Sequence, residues 1–111
     1  MRVVPKYRVV WADTATADLT AIAEYLAATD IGLALRMVEE LRSQAAKLAT
    51  LPLRGRVVPE LQAQGIVFYR EIFRHPWRLL YRVAGNTVYV VTVCDSRRNL
   101  EDLLLDRFLR V

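Results

Sequence analysis

The stretch from Ile66 to Cys94, IVFYREIFRHPWRLLYRVAGNTVYVVTVC, decides the architecture. It is rich in Val, Ile, Leu, Tyr and Phe and is broken at two places only, His75-Pro76 and Gly85-Asn86, so it reads as three strands: Ile66 to Arg74, Trp77 to Ala84, and Thr87 to Cys94. The Gly-Asn pair supplies the positive φ angles of a two-residue hairpin turn, which makes the second and third strands antiparallel neighbours. In the middle strand, Trp77, Leu79, Tyr81 and Val83 fall on one face and Arg78, Leu80 and Arg82 on the other. The expectation is one core face and one face that displays guanidinium groups.

Upstream, the period changes. Tyr7-Arg8-Val9-Val10-Trp11 reads as a short strand. Asp13 or Thr14 then offers a helix N-cap, and Ala15, Leu19, Ile22, Ala23 and Leu26 recur at helical spacing to near Thr29. Asp30 is the candidate cap of a second helix, whose stripe Ala34, Met37, Val38, Leu41, Ala45 and Leu48 ends at Leu51-Pro52. So short a connection makes the two helices an antiparallel αα-hairpin. Residues 52–65 carry Pro52, Gly55, Pro59 and Gly65 and read as loop, bearing Arg54 and Arg56. Downstream, Asn99 caps a last helix from Leu100 to Arg110. The fold class is therefore α+β: an N-terminal strand, an αα-hairpin, a three-stranded antiparallel meander and a short C-terminal helix, with the first strand joining the meander because alone it cannot satisfy its backbone. No linker or repeat divides the chain, so residues 1–111 form one domain.

Composition agrees with a globular domain. Of 111 residues, 54% are hydrophobic and 25% charged, which excludes a disordered or low-complexity segment. Size scaling gives about 6,200 Å² of folded surface against about 18,400 Å² unfolded, enough burial to stand without disulfides or a metal. No apolar run approaches the ~18 residues of a membrane span, and the opening Met1-Arg2-Val3-Val4-Pro5 has no signal-peptide core, so the expected location is cytoplasmic. One cysteine, Cys94, and one histidine, His75, do not make a zinc-ligand set, and no cofactor is expected.

The net charge of +4 is unevenly placed. Residues 1–53 balance six basic against six acidic side chains, whereas residues 54–111 carry ten arginines against six acids. Arg54, Arg56, Arg78, Arg82, Arg97 and Arg98 are the candidate binding cations, because several guanidinium forks on one concave surface would hold phosphates or an acidic peptide. The alternative is that they pair with Glu60, Glu71, Asp95, Glu101 and Asp102. His75 is the one side chain whose ordinary pKa suits proton transfer near neutrality. In the last helix Leu100, Leu103, Leu104 and Phe108 form a stripe that Leu105 and Leu109 widen, which points to deep burial or a partner surface.

The order of elements resembles the RelE/ParE superfamily of type II toxin–antitoxin toxins. The resemblance runs through Gly55-Arg56 with Pro59-Glu60, Tyr69-Arg70-Glu71, Trp77-Arg78-Leu79-Leu80-Tyr81-Arg82-Val83 and Asp95-Ser96-Arg97-Arg98-Asn99-Leu100. It implies a toxin bound by a cognate antitoxin, with operator DNA reached indirectly through that antitoxin and with no membrane partner. RelE-like members cut ribosome-bound mRNA without a metal, using basic side chains and a general acid or base; ParE-like members inhibit DNA gyrase. On the ribonuclease alternative, Arg78, Arg97, Arg98 and His75 would be the catalytic set, yet the segment from Asn99 onward has no Tyr or His. The loop around Arg54 and Arg56 and the ending RRNLEDLL look ParE-like. The expectation is a gyrase inhibitor whose target-binding residues are Arg54, Arg56, Arg78, Arg82, Arg97 and Arg98, and whose antitoxin-binding residues are Leu100, Leu104, Leu105, Phe108 and Leu109. A non-toxic, antitoxin-binding co-repressor is the third possibility.

Overall fold

The computed structural model describes residues 6–109, without the side chains of Leu105, Asp106, Phe108 and Leu109. The elements are β1 (Arg8–Trp11), α1 (Asp13–Ala27), α2 (Ile31–Ala46) with a closing 3₁₀ turn (Lys47–Ala49), β2 (Arg56–Val57), α3 (Pro59–Gln62), β3 (Tyr69–Arg74), β4 (Trp77–Ala84), β5 (Thr87–Asp95) and α4 (Leu100–Leu109). The five strands form one sheet in the order β1-β5-β4-β3-β2.

The meander stands as the sequence indicates, with both strand pairs antiparallel, although in the β4–β5 turn only Gly85, at φ 60, takes a positive φ and Asn86 does not. β1 joins β5 in parallel, Arg8 opposite Thr87 and Trp11 opposite Val90. Two element boundaries need correction. Residues 52–65 are not all loop: Val57 and Arg56 pair with Arg70 and Glu71 as an edge strand, and Pro59, suited to a first helical turn by its fixed φ, opens α3. The third strand from the C-terminus starts at Tyr69, not Ile66, because Ile66 to Phe68 pair with no neighbouring strand and so lack a ladder to join.

Helix α2 begins where its cap is expected: the Leu33 N–H donates to Asp30 Oδ1 at 3.0 Å. Helix α1 does not. Its N-cap is Ala12, with no side-chain cap, and Thr14 instead donates its hydroxyl to the Val91 carbonyl at 2.9 Å. That carbonyl is available because of a bulge. Leu80 faces Thr92 but Tyr81 faces Val90, leaving Val91 as the extra residue.

Each face of the sheet carries a core. The hairpin lays Leu19, Ile22, Met37, Leu41, Ala45 and Leu48 on Ile72, Trp77, Leu79, Tyr81, Val88, Val90 and Val93. On the opposite face α3 and α4 cover Leu80 and Cys94 with Val58, Leu61, Leu100, Leu103 and Leu104. A buried leucine of this kind contributes about 1.5–3 kcal/mol. The second face is therefore not the display of guanidinium groups that alternation in β4 predicts. No helix among the described residues is long and apolar enough to cross a membrane.

Candidate functional site

Glu71 shares one face of β3 with Tyr69 and Phe73, two residues away on either side, which turns its carboxylate toward the side covered by α3. It is 1% exposed. Arg78 of β4, which stands opposite Phe73 and so lies diagonally across the strand pair from Glu71, is 5% exposed, and the two form the centre of a four-residue ionic chain. Arg78 Nε donates to Glu71 Oε1 at 2.6 Å. Its two terminal nitrogens donate to Glu60 on α3, at 2.7 and 2.9 Å, a bidentate fork. Arg56 of β2 completes the chain by donating from Nε to Glu71 Oε2 at 2.7 Å. The Phe73 ring lies beneath both guanidinium groups, 5.1 Å from Arg56 and 5.9 Å from Arg78.

Two cations and two anions cancel, and their mutual effects follow from contact. The bridge to Glu60 first, opposed by burial and assisted by Glu71, raises the pKa of Arg78; the Arg78 hydrogen bonds outweigh burial and hold the Glu60 carboxyl below its usual range. Arg78 is thus fixed as a cation with every face of its fork engaged. Arg56 differs: its side chain is 58% exposed, so it is presented to solvent while Glu71 restrains its angle.

The backbone that carries Arg56 is fastened from the other side of the sheet. The Gly55 N–H donates to the Tyr81 hydroxyl oxygen at 3.0 Å and the Gly55 carbonyl accepts from Arg70 at 2.7 Å. A Cβ at position 55 would lie 2.5 Å from the Glu71 carbonyl oxygen and 2.8 Å from the Tyr81 hydroxyl, so only glycine lets the loop approach this closely.

The other arginines do not join this group. Arg82, four residues and about 13 Å along β4 from Arg78, stacks on Phe68 at 5.5 Å. Arg54 is exposed beside Leu51, Pro52 and Leu53. Arg97 folds back on Asp95, with Nε to Oδ1 at 3.0 Å and Nη2 to Oδ2 at 2.8 Å, and this holds the Asp95 carboxyl down at about 2. Arg98 is exposed and makes none of the ion pairs found among the described residues. The six arginines therefore do not converge on one concave surface. His75 is exposed in the β3–β4 turn.

Of the residues expected to meet an antitoxin, Leu100 and Leu104 are buried in the chain's own second core, so they do not form an open stripe; the side chains of Leu105, Phe108 and Leu109 lie outside the described residues. Asp18 is a position that the sequence reading passes over. It shares the inner stripe of α1 with Ala15, Leu19 and Ile22, and its two oxygens accept from the Val93 N–H at 3.0 Å and from Arg107 at 2.5 Å. A carboxylate on an otherwise apolar stripe is the signal that marks it.

Residues 9–100 match the family described as the ParE toxin of type II toxin–antitoxin systems. A relative named toxin RelE2, from Caulobacter vibrioides, is 33% identical over 91 residues, covering 82% of this chain and 97% of the relative. Two solved structures share the fold. One, described as a chromosomal ParDE system from P. aeruginosa, superposes with a TM-score of 0.65 at 22% identity over 81% of this chain and 96% of its own. The other, the RelBE2 toxin–antitoxin complex of Mycobacterium tuberculosis, gives 0.62 at 22% identity, covering 86% of this chain and 97% of its own.

Proposed function

The chain belongs to the ParE toxin family of type II toxin–antitoxin systems, within the RelE/ParE superfamily, and from that premise we propose that it is a ParE-like inhibitor of DNA gyrase, neutralised by a cognate antitoxin. One observation carries the choice of target: the state of Arg78. An RNA-cutting site needs a cation free to take up the charge of the phosphorane, together with groups that accept and donate protons. Both terminal nitrogens of Arg78 are occupied by Glu60 and its Nε by Glu71, and two carboxylates beside it repel phosphate. His75 sits in an exposed turn on the hairpin between β3 and β4 rather than within this ionic chain. What the arrangement offers instead is binding without chemistry: Arg56 held at a fixed angle over Phe73, with Arg54, Arg97 and Arg98 also facing solvent.

The test uses the purified chain in two assays, gyrase supercoiling of relaxed plasmid and mapping of mRNA ends on translating ribosomes. Supercoiling is expected to stop and the mRNA to stay intact, with His75→Ala indistinguishable from the parent. Cut mRNA, with the His75→Ala rate lower by the ~10²–10⁴-fold typical of a lost general acid or base, would replace this reading with the ribonuclease one.

A further inference from the structure

The core on the second face of the sheet stops short of one end. α3 and α4 cover Leu80 and Cys94, whereas past the bulge at Val91 the same face is open. Strand register lays one row of side chains across it: Tyr69 of β3 opposite Arg82 of β4, Arg82 opposite Tyr89 of β5, and Tyr89 beside Val10 of β1. At about 4.8 Å per strand the row is about 14 Å long. Arg8 stands one row further on, because Val9 and Trp11 pack against the hairpin core and alternation turns Arg8 and Val10 to the other face. Phe68 lies over the Arg82 guanidinium at 5.5 Å and meets the Tyr69 ring at 4.9 Å. The rings are open to solvent, Tyr89 by 38% and Phe68 by 55%, although Val88 and Val90 on either side of Tyr89 are fully buried. The cations are not consumed as Arg78 and Arg97 are. Among the described residues no ion pair involves Arg8 or Arg82, and the Arg82 Nε is buried without an acceptor, where buried polar groups are paired in the great majority of cases.

We infer that this half of the sheet is a platform for single-stranded nucleic acid: bases stack on Tyr89 and Phe68, and backbone phosphates lie against Arg82 and Arg8. Exposed rings interleaved with unneutralised guanidinium groups match such a ligand, since every base presents a flat face and every linkage a negative charge. An acidic protein segment would meet the cations and leave the rings unused, and a duplex keeps its bases stacked inside. An open sheet face suits an extended strand, because it has no walls to enclose a small molecule. The platform is separate from the Arg78, Arg97, Arg98 and His75 set of the ribonuclease alternative, and it stands whether or not gyrase is the target.

The experiment measures, by fluorescence anisotropy and without gyrase or ribosomes, binding of the full chain to labelled octamers of deoxythymidylate and of uridylate, to a short duplex and to an octaglutamate peptide. Both single strands are expected to bind more tightly than the duplex or the peptide, and ring-dependent binding of either one upholds the site. Tyr89→Ser and Phe68→Ala, each checked by circular dichroism, are expected to weaken single-strand binding by about 5- to 150-fold, the scale of one stacked base. Arg8→Ala should lower the slope of log affinity against log salt by about 0.7, one phosphate contact. Arg42→Ala, which removes an exposed cation from α2 beyond the other face of the sheet, should change neither. In the parent chain the ring protons of Tyr89 and Phe68 should move upfield in NMR spectra as the strand is added, a readout that stands even if a variant misfolds. No single-strand binding at low salt, equal affinity for the duplex or the peptide, parent-strength binding by both ring variants, or ring resonances unmoved at saturation would each overturn the platform. All of these leave the supercoiling test, and the gyrase reading it decides, untouched.

Discussion

Replacing Glu71 by leucine removes the acceptor that two arginines share, and the structure assigns a different weight to each half. Arg56 is more than half exposed, so water replaces the lost bond and that half is worth no more than about 1 kcal/mol. Arg78 is not: with 6% of its side chain exposed, its Nε loses a charge-assisted hydrogen bond of about 1.5–3 kcal/mol with no solvent to take its place. The bidentate bridge to Glu60 survives, which keeps the loss below the roughly 3–5 kcal/mol of a buried charge left alone. The sum is about 3 kcal/mol, and an unfolding entropy of about 2.1 cal/mol/K per residue turns it into a fall in Tm of about 13 °C. Glu60→Ala should cost less, although its bridge does more to raise the basicity of Arg78, because Glu60 is one-third exposed and water reaches the fork once the carboxylate leaves. Urea unfolding of both variants, with Arg78→Leu added to close a double-mutant cycle, measures the ordering. A Glu71→Leu chain within 1 kcal/mol of the parent, or less affected than Glu60→Ala, would refute the account of which carboxylate secures the arginine.

Gly55→Ala should destabilise the fold by about 1–3 kcal/mol, the usual range for overpacking, because the new methyl meets the Glu71 carbonyl oxygen; calorimetric melting of the variant measures this. The Asp95 carboxyl, folded with a pKa of about 2 against an unfolded value near 3.9, adds stability that is complete above pH ~4 and lost as pH falls toward 2; NMR titration should show Arg97→Ala returning it toward ~4. Cys94, its thiol pushed up to about 11 by burial, should resist thiol reagents at pH 8 until the chain unfolds, and rapid labelling of the folded protein would contradict its place under α4.

Much of this fold is written in local pattern. The helical stripes at 34, 37, 41, 45 and 48 and the turn at Gly85-Asn86 depend on neighbours a few residues away, and both stand in the structure. The two-residue strand at Arg56-Val57 does not announce itself, since it exists only by pairing with Arg70 and Glu71. The same non-locality hides the site. Alternation correctly puts Arg78 opposite the core of Trp77, Leu79 and Tyr81, but only the register of β3 against β4, and α3 lying over them, shows that the second face is covered too and that Glu60 and Glu71 consume the arginine. The pairing alternative named all three acids found opposite Arg56, Arg78 and Arg97; no spacing rule could have chosen it over a shared cationic surface.

The parallel union of β1 with β5 bears on how the protein is made. Arg8 and Thr87 are neighbours in the sheet, so the first strand to leave the ribosome must wait for the last. At about 5–20 residues per second the gap between them takes roughly 4–16 s to translate, and no tight turn can close a parallel pair. Until β5 is made the hairpin lacks the part of its surface that Val88, Val90 and Val93 supply, and the nascent chain leaves its apolar helical stripe incompletely covered. A polypeptide released before residue 87 would carry both helices of the hairpin and yet have no partner for its opening strand, which ties maturation to the synthesis of β5 rather than to the order in which segments emerge.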